Sequence, residues 1–436
     1  MFDSEALTKV QSAILIAIIA VAAVGGSATY YLFVGNTSAK ESIKIGVCSD
    51  LDMNYGKAVY QGVLLAAEQI NSQGGILGRN LTVVAEDDDS ETPPGDIAVA
   101  TAALTKLLTV DKADYVISAA GYVQVYQDIC SQHQKIFFST GSLSDNDSQR
   151  VLDNYDKYKY FFRPQTNASA AIAGGIGGLL VLKNYTGFNK VAFLTEDLSF
   201  YSQWAEGLKV LLPKFGFEVV YSRLFPPGTK DFTSYLSAIE ASGAQILDSA
   251  VLSESGFSLV EEYAERQSPF VMWGHIGLAA GSNFWALTGG KCDSISTVGY
   301  PVTAGYALTN KTLATRDAYM QRWGEVPNMV ATNFYDIVRF VLPDAIKRAG
   351  TTETEAVIKT LETTNVETSS ARHFVFTSSH DGYVAWAAPN VMSTDFLFYC
   401  TYQWQNGSQV PVSPKQLSLE AGTTYEYPSW KGPWSK

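Results

Sequence analysis

Apolar residues between positions 43 and 273 recur in two alternating rhythms. Short continuous runs, Ile43 to Val47, Leu81 to Ala85, Tyr115 to Ser118 and Ile136 to Ser139, stand between polar or glycine-rich stretches. Runs of this length and continuity read as strands buried on both faces. Between the first two runs, Val59, Val63, Ala66 and Ile70 follow a 4-3-4 spacing that paints one face of a helix, and Gly74-Gly75 supplies its stop. Ile97, Ala100, Leu104 and Leu107 mark a second helix, and residues 122 to 134 a third. Strands alternating with helices predict a parallel sheet covered on both sides.

The same rhythm starts again after Phe161-Phe162-Arg163-Pro164. Strand Val191 to Leu194, a helix bearing Trp204, Leu208, Leu211 and Phe215, and strand Glu218 to Tyr221 come first. Helix 233–242, strand 245–251, helix 256–266 and strand Phe270 to Trp273 complete the set. The expected fold class is therefore α/β: two doubly wound parallel-sheet lobes with a hinge and a cleft between them. Residues 313 to 361 are helical in pattern and lack strands of their own, so they need a sheet to cover. From Phe374 to Gln405 the chain reads as strands and hairpins, with turn signals at His380-Asp381-Gly382 and Asn406-Gly407.

The amino terminus follows a different pattern. Residues 13 to 34 carry no charge, and as a helix they would extend ~33 Å, enough to cross the hydrocarbon layer. They read as a transmembrane anchor, or as a signal cleaved near Gly26-Ser27-Ala28. Residues 1–12 then form a short cytoplasmic end and 35–42 a linker, which places the lobes outside the cell and ties the protein to the membrane. Seven Asn-x-Ser/Thr sites, such as Asn80 and Asn310, suit a surface protein.

Composition narrows the chemistry. A net charge of −12 argues against a nucleic-acid partner, because no basic stripe exists to displace counterions. Four widely spaced cysteines, Cys48, Cys130, Cys292 and Cys400, permit two disulfides or four buried thiols. The four histidines show no metal-binding spacing, and neither a nucleophile elbow nor a phosphate-binding loop occurs. No enzyme activity, cofactor or metal is expected. Asp87-Asp88-Asp89 reads as a solvated strand end, Gly174-Gly175-Ile176-Gly177-Gly178 as close helix packing, and His275 as a structural histidine.

One phrase is more specific. Ile70-Asn71-Ser72-Gln73-Gly74-Gly75-Ile76-Leu77-Gly78-Arg79 resembles the type I periplasmic binding proteins of the branched-chain amino acid and amide class (leucine-binding-like), which feed ABC importers. Similar landmarks follow in order: Phe162-Arg163-Pro164, Glu196-Asp197-Leu198-Ser199-Phe200-Tyr201, 225–233, 284–290 and Tyr335-Asp336. The resemblance implies that residues 43–163 and 303–372 build lobe one, and 164–302 and 373–436 lobe two. It implies capture of a small amino acid or amide-like ligand and delivery to an ABC permease. The alternative is a ligand-sensing receptor ectodomain of the same fold acting through a partner. Carried onto this chain, the ligand-binding positions are Asn54, Tyr55, Gly121, Tyr122, Ser139, Thr140, Tyr201 and Glu254. The hydroxyls of Ser139 and Thr140 would hold a head group, Tyr201 would act as an aromatic lid, and Glu254 would receive an ammonium. This sequence departs from the pattern at Ala120-Gly121-Tyr122, where a Gly-Pro is common, and at Ser202, where Gly is common.

Overall fold

Strand β1 (Ile43–Cys48) alternates between two cores: Ile43, Ile45 and Val47 face one, and Cys48 the other. In the computed structural model, which describes residues 40–90, 95–281, 283–384 and 393–435, it lies inside a five-stranded parallel sheet. Its companions are β2 (Leu81–Glu86), β3 (Tyr115–Ser118), β4 (Ile136–Ser139) and β5 (Phe161–Phe162), in the order β2-β1-β3-β4-β5. The expected membrane segment, 13–34, lies outside the described residues. Among those described, no helix is long and apolar enough to cross a membrane.

Helix α1 (Asn54–Ser72) covers one face with its predicted stripe: Val59, Val63 and Ala66 are fully buried, and Ile70 nearly so. Gly74 and Gly75 take the left-handed conformations that end it (φ +91° and +76°). Helices α2 (Ile97–Thr109) and α3 (Val123–Gln132) cover the opposite face. Ile97 does not join that core. The Asp96 carboxylate accepts the Ala98 N–H and starts the helix there, which leaves Ile97 half exposed in the first turn.

The second lobe repeats the plan. Strands β6 (Lys190–Glu196), β7 (Glu218–Phe225), β8 (Ile246–Val251) and β9 (Val271–Ile276) form a parallel sheet in the order β7-β6-β8-β9. Helices α4 (Ala168–Thr186) and α5 (Ser199–Leu211) pack on one face, α6 (Thr233–Ala241) and α7 (Ser255–Glu265) on the other. The glycine run in α4 packs as expected: a Cβ on Gly178 would sit 2.4 Å from Cζ2 of Trp273. Helix α5 stops short of Phe215, because Leu212–Phe215 tightens into a 3-10 turn around Pro213 and leaves Phe215 exposed. A three-stranded antiparallel sheet, β10 (Ser296–Gly299), β11 (Cys400–Gln405) and β12 (Ser408–Ser413), flanks β9. The Thr297 hydroxyl accepts the Ile276 N–H across that junction. Asn406-Gly407 forms the β11–β12 turn, as its composition predicts.

Helices α8 (Thr312–Trp323), α9 (Met329–Asp336), α10 (Leu342–Ala349) and α11 (Thr354–Leu361) return to the first lobe. Helices α1 and α9 touch backbone to backbone, so a Cβ on Gly62 would stand 2.4 Å from the Ala331 carbonyl oxygen. A π-helical turn, Ile337–Val341, joins α9 to α10. Phe374 and Phe376, expected with the second lobe, pack into the first, where Phe376 meets Phe162 edge-on at 5.0 Å. Among the described residues the chain thus passes between the lobes three times. At the first passage Arg163 is fully buried. Its Nε donates to Asp381 Oδ1 at 2.7 Å, Nη1 to the carbonyls of Ser142 and Ser144, and Nη2 to the Ser148 hydroxyl.

Candidate functional site

In open α/β sheets ligands meet the carboxyl ends of the strands, so the loops after β1, β3, β4, β6, β8 and β9 are the places to look. After β1, the buried Asp50 accepts the N–H groups of Asp52 and Met53, fixing the loop at the start of α1. Gly56 permits that seating, since a Cβ there would lie 1.8 Å from the Asp50 carbonyl oxygen. Asn54 is exposed and Tyr55 half-buried. Tyr55 lies near two phenols of the second lobe, Tyr201 and Tyr402. Burial raises the pKa of both, and Tyr55 raises each further.

The hydroxyls of lobe one divide into two kinds. Ser49 and Ser118 accept the Ala119 and Ala120 N–H groups, and Ser139 accepts that of Gly141. These three hold the loops that carry them. Thr140 differs. Its N–H donates to the Ser118 carbonyl, its own carbonyl accepts from Gln165, and its buried Oγ1 has no partner among the described residues. Gly121 is exposed with open space around it. Tyr122 turns toward the α2 side, where its hydroxyl lies 2.8 Å from an ideal Cβ on Gly95. It is therefore not brought together with Tyr55 and Tyr201.

On the second lobe, Tyr201 is buried and bonded through its hydroxyl to Nδ1 of His275 at 2.7 Å. Burial pushes the His275 pKa down to about 4, so the imidazole is neutral at physiological pH. Both side chains open onto an apolar cavity of about 70 Å³ whose walls include Trp204, Trp273 and Tyr399 and whose α4 side is glycine. Leu143 and Met329, from the first lobe, also line it. Glu254 is exposed at the start of α7. The buried acid of this corner is Glu196, which accepts the N–H groups of Leu252 and Ser253 and the Ser253 hydroxyl.

The structure therefore brings Tyr55 and Tyr201 together, leaves Thr140 with an unused hydroxyl, and separates Tyr122 and Glu254 from that group. His275, Glu196, Trp204, Trp273 and Tyr399 were not among the expected site residues. The position of Glu196 and His275 at the ends of β6 and β9 was the available signal. Among the described residues no cluster of His, Cys, Asp or Glu fit to hold a metal occurs, and all four cysteines are buried free thiols.

Comparison with known proteins gives this geometry its setting. The sequence pattern of the family described as periplasmic binding protein matches residues 42–388. Leu/Ile/Val-binding protein homolog 3 of Brucella melitensis is 24% identical over 334 residues, 74% of this chain and 83% of that protein. An amino acid binding protein of Pseudomonas aeruginosa is 25% identical over 238 residues, and the match spans 53% of this chain and 59% of that relative. Among solved structures, a branched-chain amino acid transporter substrate binding protein from Streptococcus pneumoniae, in complex with isoleucine, superposes with a TM-score of 0.67. It is 19% identical, covering 85% of this chain and 99% of its own. An ABC transporter solute binding protein from R. palustris, in complex with benzoate, gives 0.64 at 18% identity, covering 85% and 95%. Two parallel-sheet lobes joined by three passages, and a sequence pattern spanning most of both, lead to one conclusion: the chain belongs to the periplasmic binding protein family.

Proposed function

We propose that the protein is an extracytoplasmic solute-binding protein. It captures a small amino acid or amide-like ligand between its lobes and delivers it to an ABC permease. Tyr55 of one lobe lies within electrostatic reach of Tyr201 and Tyr402 of the other, and this facing of phenols across the lobes carries the reading of an interlobe ligand site. Isoleucine and benzoate, bound by two structural relatives, share a carboxylate beside an apolar group. The unused Thr140 hydroxyl suits the first and the aromatic cavity behind Tyr201 the second. Closure over the ligand excludes water, so a few hydrogen bonds discriminate strongly. Residues 13–34 serve as a membrane anchor beside the permease, or as a signal that is cleaved on export.

A thermal-shift screen of the purified protein against amino acids, amides and aromatic carboxylates tests the reading. A true ligand at a hundred times its dissociation constant adds ~2.7 kcal/mol of stability. Thr140→Ala and Tyr201→Ala should each weaken binding of that ligand at least about tenfold, the loss of one charge-assisted bond or one packed ring. Absence of any small-molecule shift, or unchanged affinity in both variants, would overturn it. A ligand bound normally but not taken up by cells would turn the reading toward sensing through a partner.

A further inference from the structure

The family-like phrase at 70–79 has a structural role remote from the cleft. Ile76 and Arg79 exchange backbone hydrogen bonds, and Gly75 lies so close to the Arg79 carbonyl that a Cβ would stand 2.1 Å from it. The resulting tight loop forms one rim of a groove of about 460 Å³ on the first lobe. The opposite wall is the π-helical turn Ile337–Val341 and helix α10, which bring Arg339, Phe340 and Lys347 to the groove. Single π-turns inside helices are frequent at functional sites.

The charges of this groove do not cancel. Lys311 pairs with Glu367 at 3.6 Å, and Asp344 is held by Arg348 at 2.7 Å. Arg339 and Lys347 have no carboxylate within ion-pair distance among the described residues. Arg339 is instead held by two neutral amides: Nε donates to Gln69 Oε1 at 3.2 Å and Nη2 to Gln73 Oε1 at 3.1 Å. Lys311 and Arg339 also flank the Phe340 ring, 4.5 and 5.4 Å from its centroid. A chain of net charge −12 has acids enough to neutralise two cations, yet among the described residues Arg339 is oriented by amides and Lys347 stands exposed, each without an ion-pair partner. An arginine fixed in this way presents a planar donor edge suited to an oxyanion.

We propose that this groove is a second binding site, for a phosphate group, in which Arg339 and Lys347 supply the charge. Two sources share that chemistry: a free phosphate compound and a phospholipid head group. The lipid source rests on the membrane-tether reading.

The test uses the full chain in a phosphate-free maltoside detergent, titrated with inorganic phosphate and glycerol phosphate at constant ionic strength. In a second arm phosphatidylglycerol is added to the micelles. Saturable binding in either arm, weakened at least tenfold by both Arg339→Gln and the exposed Lys347→Gln, is the expected result. Binding confined to the first arm identifies a soluble phosphate, and binding confined to the second a head group. Binding in neither arm, or binding indifferent to both substitutions, overturns the proposal. Lys347→Gln guards against a folding defect in the Arg339 variant. Affinity for the cleft ligand should be unchanged in both variants, so the fate of this site is read separately from that of the cleft.

Discussion

Asp248 occupies the middle of β8, between Phe193 on β6 and Trp273 on β9, and is fully buried. Neither carboxylate oxygen has a hydrogen-bond partner among the described residues. Burial therefore raises its pKa, and the folded chain keeps a proton that the unfolded chain releases. The unfolded state binds fewer protons in that interval, so stability falls as pH rises above the ordinary carboxylate range. Asp248→Asn keeps the shape and removes the ionisation. It should be more stable than the native protein at pH 7, by about 1.4 kcal/mol for each unit by which burial lifts the carboxyl pKa. The gap should close toward pH 4. Urea unfolding at the two pH values measures it, and equal stability at pH 7 would remove this account. His275 adds the opposite slope. Its depressed pKa, about 4, means stability is lost as pH falls from 6.5 toward 4.

Single residues of the site were the least legible part of the sequence. Glu254 and Glu196 both stand at strand ends and look alike in the chain. Only the turn of Leu252 and Ser253 onto the Glu196 carboxylate makes one buried and leaves the other in solvent. The Tyr201–His275 bond joins positions 74 residues apart, and it depends on β9 lying beside β8, which no local pattern encodes.

Elements were read more faithfully than residues, because hydrophobic periodicity reports on one helix or strand at a time. The 4-3-4 stripe of α1 is buried as spaced, and the glycine run of α4 has the close-packing role its composition suggested. Its energetic content is testable. At Gly178 the nearest atoms are those of the Trp273 indole, itself buried and bonded to Thr401, so the ring cannot step aside cheaply. Gly178→Ala should cost about 1–3 kcal/mol by overpacking, measured by thermal or denaturant unfolding. A neutral result would mean that α4 shifts outward freely. The pattern failed where chain geometry intervened: Pro213 cuts α5 before Phe215, and the Asp96 cap leaves Ile97 in the first turn.

At the scale of the molecule, two parallel-sheet lobes were legible from alternation alone; the lack of strands in α8–α11 said only that they must cover a sheet, and it was the family resemblance that pointed to the first lobe. The placement of Phe374 and Phe376 was not legible, since apolar residues on a short extended segment fit either core. Arg163 ties these levels together. It joins the first crossing to Asp381, and Asn167 at the start of α4 bonds the same carboxylate. Arg163→Met should destabilise the protein by about 3–5 kcal/mol, because a buried carboxylate loses its cation. Denaturant unfolding reads the loss, and a loss under 1 kcal/mol would show that Asp381 finds other partners.

The contact of Gly62 with Ala331 also has a consequence for how the protein is made. The apolar face of α1 leaves the ribosome long before α9, the helix that covers it. At roughly 5–20 residues per second, the delay across some 270 residues is on the order of 15–55 s. During that time the first lobe cannot close, whatever the intrinsic folding rate of its strands. A chain that stays open until late in synthesis remains threadable, as any export of an unfolded chain across a membrane requires.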